Sequence, residues 1–303
     1  MVRVLIPATT ANMGPGFDTM GMALEIYNSV EMEEIKEGLN IECLGLGEHI
    51  IPKDESNTVY QAALKVWQRI NYKPKGIKIR LKSDIPLSSG LGSSAAAIVG
   101  GMVAANALAG YKLKEEEILD LATKMEGHPD NVAPALLGGI VISTLEKDTV
   151  FYSKIKPPKN LACVIVIPDF TLSTKASREV LPEKVPFQDA VFNISRTALL
   201  VSALQEGDLN LLTLAMDDKM HQPYRCNLIP GMSEVIKLTK KAGAKGVALS
   251  GAGPALIAFI DDNEKEVEKE VVRVIEEIFA KKQAEVNTLV AKPNCAGVKV
   301  IEN

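Results

Sequence analysis

Residues 86–96 read Pro86-Leu87-Ser88-Ser89-Gly90-Leu91-Gly92-Ser93-Ser94-Ala95-Ala96. Before them, residues 76–82 alternate Ile77, Ile79 and Leu81 with Lys78, Arg80 and Lys82, the period of a strand with one face inward. After them, small residues open a helix over residues 93–109. Glycines let a backbone approach an anion closely, and the free N–H groups of a helix start add donors and a positive dipole end. The serine hydroxyls add ligands for phosphate oxygens or a magnesium ion. Such a segment is built to bind phosphate.

Several phosphate loops compete for this reading. A Walker A loop needs Gly-Lys-Ser/Thr, and the absence of lysine here excludes a P-loop ATPase. Gly90, Gly92 and Ala95 match the dinucleotide fingerprint loosely. That fingerprint calls for a strand after the helix, ending on an acidic residue that holds a ribose. Here a second helix follows instead, over residues 114–125. A tight helix start packed with small residues would explain the Ser and Ala, but not so many hydroxyls beside two glycines.

The chain has 303 residues, with 34 Lys and Arg against 38 Asp and Glu and a net charge of −4. A chain of this length holds about two domains. The acidic balance and an aromatic content of 5% argue against a nucleic-acid surface, which needs a basic face and stacking platforms. Cys43, Cys163, Cys226 and Cys295 form no C-x-x-C pair, so neither a zinc knuckle nor a secreted disulfide framework is expected. The apolar run after Arg3 is too short for a signal-peptide core. Residues 85–111 carry no charge, but they are rich in Ala, Gly and Ser and lack the Leu, Ile and Phe density of a membrane span. They read as a buried helix. A soluble, cytoplasmic small-molecule enzyme with no nucleic-acid or membrane partner is the class that remains.

Residues 2–6 read as a buried strand closed by Pro7, and residues 8–21 as a loop. Strands follow at 23–34 and 39–44. Val59, Ala62, Ala63, Val66 and Trp67 mark a helix over 58–70, with Asn57 as its N-cap. Another strand is expected at 138–144. The polar, proline-rich segment 153–160 marks a boundary between units spanning 1–158 and 159–303. The second unit opens on an apolar strand, 161–167, and continues with helices at 191–205, 209–215 and 233–242. Strands at 246–249 and 256–260, an amphipathic helix at 264–282 and a last strand at 297–301 complete it. Helices and strands alternate in both halves, so the class is mixed α and β.

Two further motifs stand in order around the first. Pro7-Ala8-Thr9-Thr10-Ala11-Asn12-Met13-Gly14-Pro15-Gly16-Phe17-Asp18 lies near the start, and Leu249-Ser250-Gly251-Ala252-Gly253-Pro254-Ala255 near the end. With residues 86–96, all three resemble the motifs of the GHMP kinases, and they span nearly the whole chain. The resemblance implies an α+β fold of two domains. The first is similar to the second domain of ribosomal protein S5, with a left-handed βαβ crossover and the ATP site; the second is ferredoxin-like. It also implies ATP and Mg²⁺ as cofactors and a homodimer.

Within the family, the details are similar to the members that phosphorylate L-homoserine to O-phospho-L-homoserine, a step toward threonine. Glu126-Gly127-His128-Pro129-Asp130-Asn131 resembles their central motif, and the segments around Thr174 and Arg178 and from His221 to Arg225 resemble their two arginine segments. The resemblance implies that residues 86–96 hold the nucleotide's phosphates, that Ser94 and Glu126 hold Mg²⁺, and that Asn57 and Lys82 lie near the adenine. Asn12, Asp18, His128, Thr174, Arg178 and Arg225 would bind the substrate, and Asp130, Asn131 and Arg225 would serve the reaction.

The chemistry of these side chains agrees. Homoserine is a zwitterion with a hydroxyl. Arg178 and Arg225 can each fork onto a carboxylate, and Asp18 with Asn12 suits an ammonium. A sugar would need neutral partners instead. A mevalonate-type kinase also binds a carboxylate and is the nearest competitor. A third reading is a GHMP-like protein that binds ligand without catalysis, but Ser93, Ser94, Glu126 and Asp130 are all present, which favours an enzyme.

Overall fold

The computed structural model describes residues 1–301. Its first sheet has seven strands, in the order β11 (Lys299–Ile301), β1 (Val2–Ala11), β2 (Met20–Ile35), β4 (Gly76–Ser83) and β3 (Gly38–Gly45), with β5 (Ile140–Glu146) on β2 and β6 (Thr149–Ile155) on β5. Strands β3 and β4 run parallel, joined through α1 (Thr58–Ile70) in a βαβ unit. Three helices follow in the same unit: α2 (Ser93–Leu108), α3 (Glu115–Glu126) and α4 (Pro129–Leu137).

The uncharged stretch is α2, buried along almost its whole length. A helix that is apolar all round belongs inside a core. Its small residues set the distance to its neighbours: a Cβ at Gly101 would overlap the carbonyl of Val59 on α1.

The second sheet is antiparallel, in the order β10 (Val286–Ala291), β7 (Leu161–Pro168), β9 (Leu256–Asp261) and β8 (Gly246–Leu249). With α9 (Met232–Lys241) before β8 and α10 (Lys265–Lys281) before β10, this is the ferredoxin-like βαββαβ arrangement. Both faces of the sheet are covered. Ala162, Val164 and Val166 join Ala258 and Ile260 against Val271 and Ile275 of α10, while Cys163, Ile165, Ile257 and Phe259 share the larger core with the first sheet. Alternate residues of a strand point to opposite faces, so a doubly covered strand reads as a continuous apolar run.

Several sequence expectations need correcting. β1 does not stop at Pro7 but continues to Ala11, with its register to β2 shifting between Pro7 and Ala8. Proline is tolerated in a strand at such an irregularity. β6 occupies part of the expected linker, and β10 and α4 were not anticipated. The sheets change hands between Ile155 and Leu161, but the chain's end does not stay with the second. β11 pairs with β1, and Pro293 bridges to Leu24. The last residues therefore pair with the first sheet, on the other side of the expected division at 158/159. The return has a physical anchor: Asn294 donates to the Tyr27 hydroxyl and its Oδ1 accepts from the N–H groups of Ala296 and Gly297.

Candidate active site

The loop before α2 is shaped by left-handed backbone at Ser88, Gly90 and Gly92. Glycine is required at two of these places. A Cβ at Gly92 would overlap Thr9 Oγ1, and one at Gly90 would overlap the Ser250 carbonyl. Ser250 Oγ donates to the Gly90 carbonyl at 2.7 Å, and the Ala255 N–H donates to Ser89 O at 2.9 Å. The C-terminal glycine motif thus packs directly on the phosphate loop. No side chain caps α2, so the donors of its first turn remain available to an anion.

Beside this loop lies a cavity of about 530 Å³. It brings together most of the residues singled out in the sequence. Leu87, Ser88, Ser89, Gly90, Gly92, Ser93, Ser94 and Ala96 line it from the loop. Pro86, Leu91 and Ala95 do not line it; Leu91 and Ala95 are fully buried in the core. Asn57 and Lys82 also line it, together with Ile51 and Pro52. Asn57 also caps α1, accepting from the Val59 N–H at 2.9 Å, so its expected capping and cavity-lining roles coincide. Lys82 pairs with Asp84 at 3.3 Å.

Ser94 Oγ donates to Glu126 Oε2 at 2.7 Å, bringing the first turn of α2 to the last residue of α3. These two oxygens fit a small divalent cation that takes its remaining ligands from phosphate and water, as magnesium does. Among the described residues no cluster of three or more His, Cys, Asp or Glu side chains offers an all-protein metal cage.

At the start of α4, His128 Nδ1 and Asp130 Oδ1 lie 2.5 Å apart. Asp130 is 2% exposed, and its hydrogen bond raises the His128 pKa against the opposing cost of burial. Asn131 Nδ2 donates to Asp130 Oδ1 at 3.3 Å, and its Oδ1 accepts from Thr9 Oγ1 at 2.8 Å. Thr9 was not anticipated; a threonine at the end of a strand gives no sequence signal of such a reach.

Asn12 and Asp18 both hold left-handed backbone, at φ 69° and 53°, a region that Asn and Asp tolerate better than other side chains. The Asp18 N–H donates to Asn12 Oδ1 at 3.0 Å, and Asn12 Nδ2 donates to the Gly251 carbonyl at 2.9 Å. Arg178 forks onto Asp18, Nη1 to Oδ2 at 2.9 Å and Nη2 to Oδ1 at 2.8 Å, and these bonds raise its pKa. Arg178 projects from α5 (Thr174–Glu179), whose first residue, Thr174, also lines the cavity. Phe17 lies under both arginines, its ring 5.7 Å from the Arg178 guanidinium carbon and 5.3 Å from that of Arg225. Its place between Gly16 and Asp18 in a glycine-rich loop was the available signal. Burial pushes the Arg225 pKa down to about 10, assisted by the nearby Arg178.

The constellation therefore joins an anion cradle, an acid–hydroxyl pair suited to magnesium, and a polar corner with two arginines and two buried or half-buried aspartates. A phosphoryl donor and a small zwitterionic acceptor can both be held here. No helix among the described residues is long and apolar enough to cross a membrane.

Comparison with known proteins identifies the family. Residues 57–139 match the GHMP kinase N-terminal domain and residues 200–278 the GHMP kinase C-terminal domain. A homoserine kinase of Carboxydothermus hydrogenoformans is 48% identical over 98% of this chain and 96% of its own length. One from Caldicellulosiruptor saccharolyticus is 46% identical over 100% of this chain and 98% of its own. The crystal structure of homoserine kinase from Cytophaga hutchinsonii superposes with a TM-score of 0.90 at 33% identity, covering 99% of this chain and 97% of that one. The chain belongs to the GHMP kinase family, among its homoserine kinases.

Proposed function

We propose that this chain transfers the γ-phosphoryl group of ATP to the hydroxyl of L-homoserine, giving ADP and O-phospho-L-homoserine. The observation that carries this reading is the placement of Asp18, Arg178 and Arg225 in one cavity with the phosphate loop. Phosphoryl transfer passes through a loose transition state that needs alignment and charge neutralisation more than a strong base. Backbone N–H groups around Gly90, Gly92 and Ser93 hold the phosphates, supported by the hydroxyls of Ser88, Ser93 and Ser94. Glu126 and Ser94 hold Mg²⁺, which supplies positive charge for the phosphate oxygens. Arg225 and Arg178 take the substrate carboxylate, while Asp18 with Asn12 takes its ammonium. Asn131 and His128 orient the hydroxyl, and Asp130 holds that cluster in place. Asn57, Lys82 and the apolar wall of Ile51 suit the adenine end.

The homodimer and cytosolic location that the resemblance implies are part of the same reading. Phe187, Val191 and Ile194 lie on one side of α6 (Phe187–Glu206) at 83%, 49% and 70% exposure, an apolar stripe on which a second copy could pack.

ADP release should be measured with L-homoserine, mevalonate, galactose and shikimate as acceptors. L-homoserine should be turned over far faster than the rest, with a phosphomonoester product. Equal turnover of mevalonate would overturn the assignment and leave only the family.

A further inference from the structure

His221 and Arg225 stand four residues apart, one helical turn, at either end of the short helix α8 (Gln222–Arg225). Arg225 is 2% exposed. Its Nε donates to the Ser177 carbonyl at 3.0 Å, and its Nη1 reaches the Gly251 carbonyl and His221 Nδ1, each at 3.2 Å. All three acceptors are neutral. They fix where the guanidinium points without cancelling its charge, so that charge stays available to an anion in the cavity.

The protonation pattern of His221 follows from its neighbours. Its side chain is fully buried, and Nε2 lies 2.8 Å from the Gly14 carbonyl. A carbonyl only accepts, so Nε2 carries the proton. The other nitrogen of a neutral imidazole is then an acceptor, and it faces a guanidinium that can only donate. Stacking on Phe17, at 5.0 Å between ring centroids, holds the ring plane. Asp218 Oδ2 is 3.5 Å from Nε2, but it already accepts the backbone N–H groups of His221 at 3.1 Å and Gln222 at 2.7 Å. Asp218 therefore anchors the turn that presents His221.

We propose that His221 is a positioning residue for the reaction: as the neutral Nε2–H tautomer it accepts an Arg225 N–H and holds that guanidinium in register with the substrate carboxylate. This rests on the reading above that Arg225 binds the carboxylate. The charged groups facing His221 are Asp218, Arg225 and, farther off, Asp18. Burial and the Arg225 charge lower its pKa against the opposing pull of Asp218. A proton arriving at Nδ1 would turn the acceptor into a donor and set a second cation against Arg225. Homoserine binding should therefore weaken as pH falls and this second cation forms.

The test uses the full-length enzyme with His221→Phe, which keeps the stacked ring, His221→Asn, which returns an acceptor near the Nδ1 position, Arg225→Gln, and the His221→Phe/Arg225→Gln double variant. Loss of one hydrogen bond to a charged group predicts about a tenfold rise in KM for homoserine in His221→Phe, with the ATP KM unchanged. His221→Asn should recover most of this, and His221→Phe should add less than about twofold in the Arg225→Gln background, the non-additivity of groups that act together. An equal effect of His221→Phe in both backgrounds would overturn the proposal. Nitrogen NMR of the wild type decides independently, because the chain has only three histidines to assign. His221 should be the neutral Nε2–H tautomer at neutral pH; an Nδ1–H or cationic ring would refute the proposal. If wild-type enzyme fails to phosphorylate homoserine, the functional reading falls, while the NMR result still decides the His221–Arg225 bond.

Discussion

Arg178 and Asp18, 160 residues apart, meet through two parallel N–H···O bonds over the Phe17 ring. Each satisfies the charge of the other. A zwitterion brings a carboxylate for the arginine and an ammonium for the aspartate, and it can replace both bonds together. A carboxylate with no ammonium replaces only one of them and leaves Asp18 without its partner. The pair thus selects for both ends of the substrate at once.

Asp18→Asn tests this directly. The change keeps the hydrogen-bonding shape and removes the charge, so kcat/KM for L-homoserine should fall about 10–100-fold, the range for losing a hydrogen bond to a charged group. Steady-state kinetics with saturating ATP measure it. A wild-type value would mean that Asp18 serves only to hold Arg178.

Glu126→Gln keeps an acceptor for Ser94 Oγ but loses the carboxylate. The Mg²⁺ concentration needed for half-maximal rate should rise about 10–100-fold, with KM for homoserine nearly unchanged. A magnesium titration of initial rate separates the two. If homoserine binding collapses while the metal dependence stays the same, Glu126 faces the amino acid.

Asp130 and His128 offer a pH test with a definite sign. Their hydrogen bond raises the His128 pKa above its ordinary value near 6.5. A raised histidine contributes its stabilisation fully below the unfolded value and loses it as pH rises through the folded one. NMR titration should therefore find His128 still protonated above about pH 6.5, and Asp130→Asn should lower that midpoint. In the same variant kcat should fall moderately, with a flat profile from about pH 6 to 9. A loss of about a thousandfold that recovers with rising pH would make Asp130 the general base.

The phosphate loop, the uncharged helix and the paired-strand pattern before them were legible because each rests on local chemistry. Gly90 and Gly92 announce a left-handed backbone, and a helix apolar on all sides announces burial. The second sheet was partly legible: β7 and β9 read as apolar runs because both faces are covered. β10 and β6 hid, since they lie at sheet edges with mostly half-buried or exposed side chains that show no clean period. The continuation of β1 past Pro7 depends on a register shift against β2 that no local signal announces. At the site, each charged residue could be matched to a substrate group, but the Arg178–Asp18 fork and the Thr9–Asn131 bond join distant segments. Only the folded chain reveals them. His221 and Arg225 share one short segment, but the helix that brings them together, α8, was not among the expected elements.

The most direct test of homoserine recognition compares kcat/KM for L-homoserine with that for 4-hydroxybutanoate, the same molecule with hydrogen in place of the ammonium group. Both carry the carboxylate and the reacting hydroxyl, so only the Asp18 side of the pair distinguishes them. A site built to bond a substrate group rejects the analogue lacking it, because its own polar group is left unpaired. The ratio should favour L-homoserine by about a hundredfold or more and shrink toward unity in Asp18→Asn. Values within about threefold for the wild type would contradict recognition of a zwitterion and with it the central claim.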